Sequence, residues 1–243
     1  MKETAFPPHR TAGPPLAEII LLAAFACACS SAPPGYGGAD FYRNFAELSA
    51  ANTEGRDYSR EAYNRRSAIT VFAVHGGDIE LGTARVARKI AGDDLNLYIF
   101  NGWLQEESCK LHITAVRFDD PRAIELSTGA VLGVSVHGQA VPGRRVCVGG
   151  SNSAAAELTA LRLNAAGFSA EAPCARLPGI SPQNLVNRAS EGGVQLEITL
   201  PLLKRLEISP SDLSEFTKAV RNAVFDYLHT PQGRHAGTTV LPG

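Results

Sequence analysis

Three short apolar runs, each stopped by glycine, constrain this chain most. Residues 68–74 (AITVFAV) run into His75-Gly76-Gly77, residues 130–136 (AVLGVSV) into His137-Gly138, and residues 145–148 (RVCV) into Gly149-Gly150. Runs this short and rich in β-branched side chains read as strands, and strands that are apolar at consecutive positions belong in a sheet covered on both faces. Between them the spacing turns helical. Residues 83–91 place Ala84, Ala87 and Ile90 on one face and stop at Gly92, while 153–166 are rich in Ala and Leu and stop at Gly167. Residues 95–100 and 193–199 add strands, and Ser181-Pro182 opens a short helix through Arg188. Ser209-Pro210-Ser211-Asp212 supplies a cap, a first-turn proline and a first-turn acid for a last helix to about residue 228. The alternation predicts an α/β fold: an open mixed, mostly parallel sheet flanked by helices, with its site at the carboxyl ends of strands.

The start of the chain has a different character. Lys2 and Arg10 precede an unbroken apolar run at 19–29, which is followed by Ser30-Ser31-Ala32 and Pro33-Pro34, the layout of a secretory signal. The run is about half the length of a membrane-spanning helix, which needs roughly 20 apolar residues. Ala-Cys-Ala-Cys at 26–29 also fits a lipoprotein signal, although the usual leucine three residues before the cysteine is missing, and a lipid on that cysteine is the one expected route to a membrane. The predicted division is 1–34 as signal and linker, 35–230 as one domain, and 231–243 as a loose tail. Export is expected, to a secreted, periplasmic or lipid-anchored state; a misassigned start would instead leave a cytoplasmic domain beginning near Asp40. Of the five cysteines, Cys109, Cys147 and Cys174 lie in the body, without the spacing of a zinc ribbon or a redox pair; one disulfide between two of them is compatible with export. Lys and Arg (23) nearly balance Asp and Glu (24), which excludes a broad cationic face for nucleic acid. A monomer is expected.

The histidines carry the chemistry. His75 and His137 each follow an apolar strand and precede glycine, and Glu80 follows His75 by five residues across a turn that two glycines allow to curl. Two neutral imidazoles and one carboxylate suit a single Zn2+ with an open fourth position, the arrangement of hydrolytic rather than structural zinc. The bland alternative is a tight turn with Glu80 near a helix start. Such chemistry needs a proton carrier, and Glu197, an acid inside the otherwise apolar 194–198 (VQLEI), is the leading candidate. It lies either in the site or on the wet face of an alternating strand. Asp119-Asp120-Pro121 reads as a turn with an aspartate cap. His112 is either a spare ligand, a neighbour of the ligands, or an exposed residue of an alternating strand.

Taken in order, 75–83 (HGGDIELGT), 111–121 (LHITAVRFDDP), 135–138 (SVHG), 148–150 (VGG) and Asn187-Arg188 followed by 193–198 (GVQLEI) resemble the phage-type poly-γ-glutamate hydrolase family. Asn44-Phe45-Ala46-Glu47-Leu48 and Asp57-Tyr58 extend the resemblance upstream, so that it spans about 40–203. It implies a zinc peptidase with a zinc-carboxypeptidase-like core that cuts γ-linked glutamyl amide bonds, with His75, Glu80 and His137 as metal ligands and Glu197 as general base and acid. Arg188 is the first candidate to hold the oxyanion or a glutamate α-carboxylate, the alternative for it being a surface ion pair. Arg117, Asn187 and His112 are further candidates for substrate contact. Arg117 stands where the family has histidine and Ala189 where it has glycine. Two other functions fit the same pattern: a zinc amidase acting on a cell-wall γ-glutamyl peptide or an N-acyl amino acid, and an exported zinc- or polymer-binding protein without catalysis. A net charge of −1 is an unpromising grip on a polyanion.

Overall fold

A computed structural model of the chain describes residues 40–230, so the expected leader at 1–34 and tail at 231–243 lie outside the described residues. Seven strands form one sheet in the order β1-β3-β2-β4-β7-β5-β6: β1 (Tyr58–Tyr63), β2 (Ile69–Gly77), β3 (Asn96–Gly102), β4 (Leu132–Gln139), β5 (Arg145–Gly149), β6 (Ser169–Glu171) and β7 (Gly193–Thr199). The pairs β2/β3, β2/β4, β4/β7 and β5/β6 are parallel, and β1/β3 and β5/β7 are antiparallel. The mixed, mostly parallel sheet expected from the apolar runs is therefore present.

Period-two alternation divides the core in two. In β2, Ile69, Val71 and Ala73 join Val134, Val136, Leu196 and Ile198 on one face, where α2 (Thr83–Ala91), α4 (Ser153–Ala165), α5 (Leu200–Ile208) and α6 (Pro210–Leu228) cover them. Phe72 and Val74 point the other way, to an aromatic cluster of Phe45, Tyr58, Tyr98, Phe100 and Phe118 under α1 (Phe45–Ala51) and α3 (Pro121–Thr128). Two-sided coverage is why these strands lack a polar face. Caps start two of the helices: Ser209 Oγ accepts from Asp212 N at 3.2 Å where the sequence places the last helix, and Asp120, the residue before α3, accepts from Arg122 N at 2.9 Å.

Several elements differ from expectation. The helix read from Ser181 to Arg188 shrinks to a 3-10 turn at Leu185–Arg188, capped by Asn184, where Leu185 and Val186 are buried and Val186 packs closely on Gly133 and Gly193 of the sheet. His112 lies on no strand; it caps a 3-10 turn at Gln105–Leu111. Helices α1, α3 and α5 and the edge strands β1 and β6 have no counterpart among the elements expected from the sequence, which offered only a turn at Asp119-Asp120-Pro121. Among the described residues, no helix is long and apolar enough to cross a membrane.

Cys147 of β5 is bonded to Cys174, closing 27 residues. The bond ties the segment after β6 back onto the sheet, and Cys174 N–H donating to Val148 O at 2.9 Å and Gly150 N–H to Pro178 O at 2.8 Å fasten it further. Gly149 permits this approach, since a Cβ there would lie 2.4 Å from Pro178 O. Closing a loop of this length removes unfolded-state entropy equivalent to about 3 kcal/mol. The double variant Cys147→Ala/Cys174→Ala is expected to lose stability of that order in denaturant unfolding; unchanged stability would show that the cross-link constrains nothing the fold does not already hold.

Candidate functional site

The chain leaves β2 through α2 to β3 on one side, whereas β4 lies on its other side. Such a reversal of strand order opens a crevice at the carboxyl ends. His75 lies two residues before the end of β2 and His137 two before the end of β4, and Glu197 of β7 is the register partner of His137. Strict alternation would turn His75 to the same face as Val71 and Ala73. The register with β3 prevents this: Ala73 pairs with Ile99 but Gly76 with Asn101, so β2 carries one extra residue. This bulge resets the alternation and aims His75 at His137. Gly77 then turns the chain at φ 66°, where a Cβ would meet Gly102 O at 2.3 Å. Glu80 returns to the site as its N–H donates to His75 O at 2.8 Å.

The result is a buried triangle. His75 Nδ1 lies 3.0 Å from Glu80 Oε1 and 3.2 Å from His137 Nδ1, and His137 Nδ1 lies 3.6 Å from Glu80 Oε2. His75 Nε2 donates to Ile113 O at 2.9 Å; a carbonyl only accepts, so the proton belongs on Nε2 and Nδ1 is bare. Burial, with His112 beside it, lowers the pKa of His75 and keeps the ring neutral. Burial opposes ionisation of Glu80, but the neighbouring His75 and His137 outweigh it and hold the carboxyl below the usual range. Gly138 N–H adds a hydrogen bond to Glu80 Oε2 at 2.8 Å. A bare nitrogen thus faces an ionised carboxylate at contact distance, which is repulsive without a cation between them. His137 Nε2 is itself buried without a partner.

The donor set fits zinc. Ligand bonds of 2.0–2.2 Å in a tetrahedron separate ligand atoms by about 3.3–3.6 Å, close to the three edges here. His75, Glu80 and His112 form a second group whose ligand atoms lie within 4.8 Å of one another. His112 is stacked on His75 at 4.0 Å between ring centroids, and its Nδ1 is already engaged by Asp40 Oδ1 at 2.9 Å. The triangle with His137 is the tighter of the two.

Glu197 is 5 % exposed, so β7 has no wet face and the exposed alternative for this residue falls away. Gln195 Nε2 donates to its Oε1 at 2.8 Å. Burial, together with the negative charge of Glu80 and against the pull of His137, raises its pKa to about 7. His75, Glu80, His112, His137 and Glu197 all line one cleft of about 280 Å3, beside Arg176.

Not every residue singled out in the sequence reaches it. Arg188, Asn187 and Arg117 are absent from the cleft lining. The guanidinium of Arg188 donates to Gln183 O at 3.3 Å, because the 3-10 turn points it back along its own segment. Asn187 is consumed locally, donating to Gly179 O at 2.6 Å and Ser181 O at 2.8 Å. Arg117 donates to Asp40 Oδ2 at 2.5 Å. Asp40 and Arg176 escaped the sequence reading: Asp40 lies 72 residues from the His112 that it orients, and Arg176 is marked only by Cys174 two residues earlier.

A His–Glu–His cluster built around an ionised carboxylate, beside a carboxyl that titrates near neutrality and at the carboxyl edge of a mostly parallel sheet, is the equipment of a hydrolytic enzyme. The chain belongs to the poly-gamma-glutamate hydrolase family, whose profile matches residues 42–228. It is 34% identical over 170 residues to the UPF0714 protein YndL of Bacillus subtilis, covering 69% of this chain and 67% of that one. To the SPbeta prophage-derived UPF0714 protein YoqZ of the same organism it is 35% identical over 199 residues, covering 78% and 69%. The structure of a bacteriophage poly-gamma-glutamate hydrolase superposes with a TM-score of 0.73 at 28% identity, over 77% of this chain and 98% of that one. A zinc-free apo form of YndL superposes with a TM-score of 0.72 at 29% identity, with the same coverage.

The raised pKa of Glu197 makes a prediction about stability. A carboxyl that titrates at about 7 when folded and about 4.3 when unfolded holds a proton in the folded state throughout that window. Stability therefore falls as pH rises through the window, and above it the buried charge costs on the order of 3 kcal/mol. Metal-free Glu197→Gln is expected to match the wild type near pH 4 and to exceed its stability by that order at pH 8. Parallel pH profiles for the two proteins would contradict the assignment.

Proposed function

We propose that this chain is a zinc-dependent hydrolase of γ-glutamyl amide bonds, acting on poly-γ-glutamate. The observation that carries the reading is the bare Nδ1 of His75 set against the ionised Glu80 carboxylate, with His137 Nδ1 completing the triangle. His75, Glu80 and His137 hold one Zn2+. Zinc bound there supplies Lewis acidity, drawing charge from an amide carbonyl and making water easier to deprotonate.

The chain's own residues do the rest. Glu197, with Oε1 held by Gln195, keeps Oε2 for the proton of the attacking water and passes it to the leaving amine. A carboxylate with a pKa near 7 is suited to both halves of that transfer, since it takes and gives a proton at neutral pH with little driving force lost. His112 lines the cleft in an orientation fixed by Asp40: its Nδ1 donates to that carboxylate, which leaves Nε2 of the neutral ring as an acceptor for a substrate N–H. The buried Asp40 carboxylate also accepts from Thr114 N–H at 2.9 Å and from Arg117, so the whole 112–117 segment is clamped as one piece.

The Cys147–Cys174 disulfide supports export, since such bonds persist in oxidising compartments, and the leader at 1–34 is the proposed route. A single sheet with both faces covered by its own helices supports action as a monomer.

Purified protein is expected to carry about one zinc per chain and to shorten poly-γ-glutamate in solution, with activity lost to chelator and restored by zinc. Glu197→Gln should retain the metal and lose about 10^3-fold in turnover. Chain shortening by metal-free protein would contradict the zinc assignment, near-normal turnover by Glu197→Gln would remove that residue from the mechanism, and zinc binding without any hydrolysis would favour a binding protein.

A further inference from the structure

A γ-linked glutamate chain leaves one α-carboxylate free on every residue, whereas an ordinary peptide buries that group in its backbone. An enzyme specific for the linkage needs a cation at the cleft to receive this group. The sequence offers Arg188 and Arg117 for the task, and neither lines the cleft. Arg176 does, and it is the one Lys or Arg among the lining residues. It has no hydrogen-bond or ion-pair partner among the described residues, unlike Arg60, Arg88, Arg117, Arg162, Arg205 and Arg221, each of which is paired with a carboxylate.

Its setting is built rather than incidental. Two residues before Arg176, the disulfide pins Cys174 to Cys147, which is itself the register partner of Glu197 across the antiparallel β5/β7 pair. Two residues after it, Pro178 O is held by Gly150 N–H at 2.8 Å, and Gly179 O is held by Asn184 at 3.2 Å and Asn187 at 2.6 Å. Gly179 packs so closely on the Gln195 side chain that a Cβ would lie 2.7 Å from it, and Gln195 in turn holds Glu197. A free guanidinium is thus carried on a short strap tied at one end to β5, the neighbour of the strand that bears the proposed base, and at the other to β5 and to that strand itself. The backbone share of the ordering that a loop arginine undergoes on binding is already done, and only the side chain is left to be fixed.

Resting on the γ-glutamyl reading above, we propose that Arg176 is the specificity-determining residue of the site and binds the free α-carboxylate of the substrate through its two-pronged guanidinium. The cleft otherwise presents the carboxylates of Glu80 and Glu197 to an acidic polymer, so this single cation also answers how a chain of net charge −1 holds a polyanion.

The test compares a γ-glutamyl oligomer with the same oligomer carrying α-carboxamides, which keep the shape and lose the charge. Zinc-loaded wild type is expected to prefer the acid by about 10- to 100-fold in kcat/KM, mostly through KM, as suits a charge-assisted pair. Arg176→Ala should lose the preference, its kcat/KM for the acid oligomer falling to that for the carboxamide, and Arg176→Lys should restore part of it. A preference that survives in Arg176→Ala, or a wild type without one, would overturn the assignment. A wild type that cleaves neither oligomer would overturn the γ-glutamyl reading itself, and the assignment with it.

Discussion

One carbonyl oxygen decides the chemistry of this site. Because Ile113 O accepts from His75 Nε2, the opposite nitrogen is left bare, and the bulge in β2 delivers it against the Glu80 carboxylate. Both groups have left water to reach that position, so neither can relieve the mismatch through solvent. Two acceptors locked face to face are unstable alone and strong together around a cation, and the structure around them is devoted to holding that arrangement. Glu80 is fixed by its own N–H to His75 O and by Gly138 N–H, and His75 by the stacked ring of His112, which Asp40 holds in turn.

The sheet supplies the convergence. Three neighbouring parallel strands, β2, β4 and β7, bring His75, His137 and Glu197 to one edge, and the reversal of strand order at β2 opens a crevice at that point. The antiparallel β5 then adds a second function. By pairing Cys147 with Glu197 and bonding Cys147 to Cys174, it draws a loop from beyond β6 over the cleft. The metal-type cluster and the cleft wall therefore rest on the same few strands, with the base between them.

How much of this was legible beforehand follows from what kind of interaction each part uses. The strands ending in His75 and His137 were readable because an apolar run stopped by glycine has few other uses, and the helices at 83–91 and 210–228 because caps are local. The family resemblance over about 40–203 agrees with the matched span of 42–228. The bulge was not readable, since one extra residue in a strand leaves the apolar pattern almost unchanged. Nor were Asp40 and Arg176, whose roles depend on contacts across 72 residues and on a disulfide. Arg188 misled for a related reason: a short helix would have turned it outward to a ligand, whereas the 3-10 turn folds it onto Gln183. The even balance of charge counted against a polyanionic substrate only while charge was treated as a total; placed residue by residue, Arg176 stands free at the cleft while Arg117, the nearby arginine offered by the sequence, is paired with Asp40.

The central claim is that the His75–Glu80–His137 triangle is a metal site, and anomalous diffraction at the zinc edge from zinc-loaded crystals tests it most directly. One strong peak is expected, bounded by His75 Nδ1, the Glu80 carboxylate and His137 Nδ1, with Glu197 outside ligand distance. A peak held by His112 in place of His137, or no peak in the cleft, would contradict it.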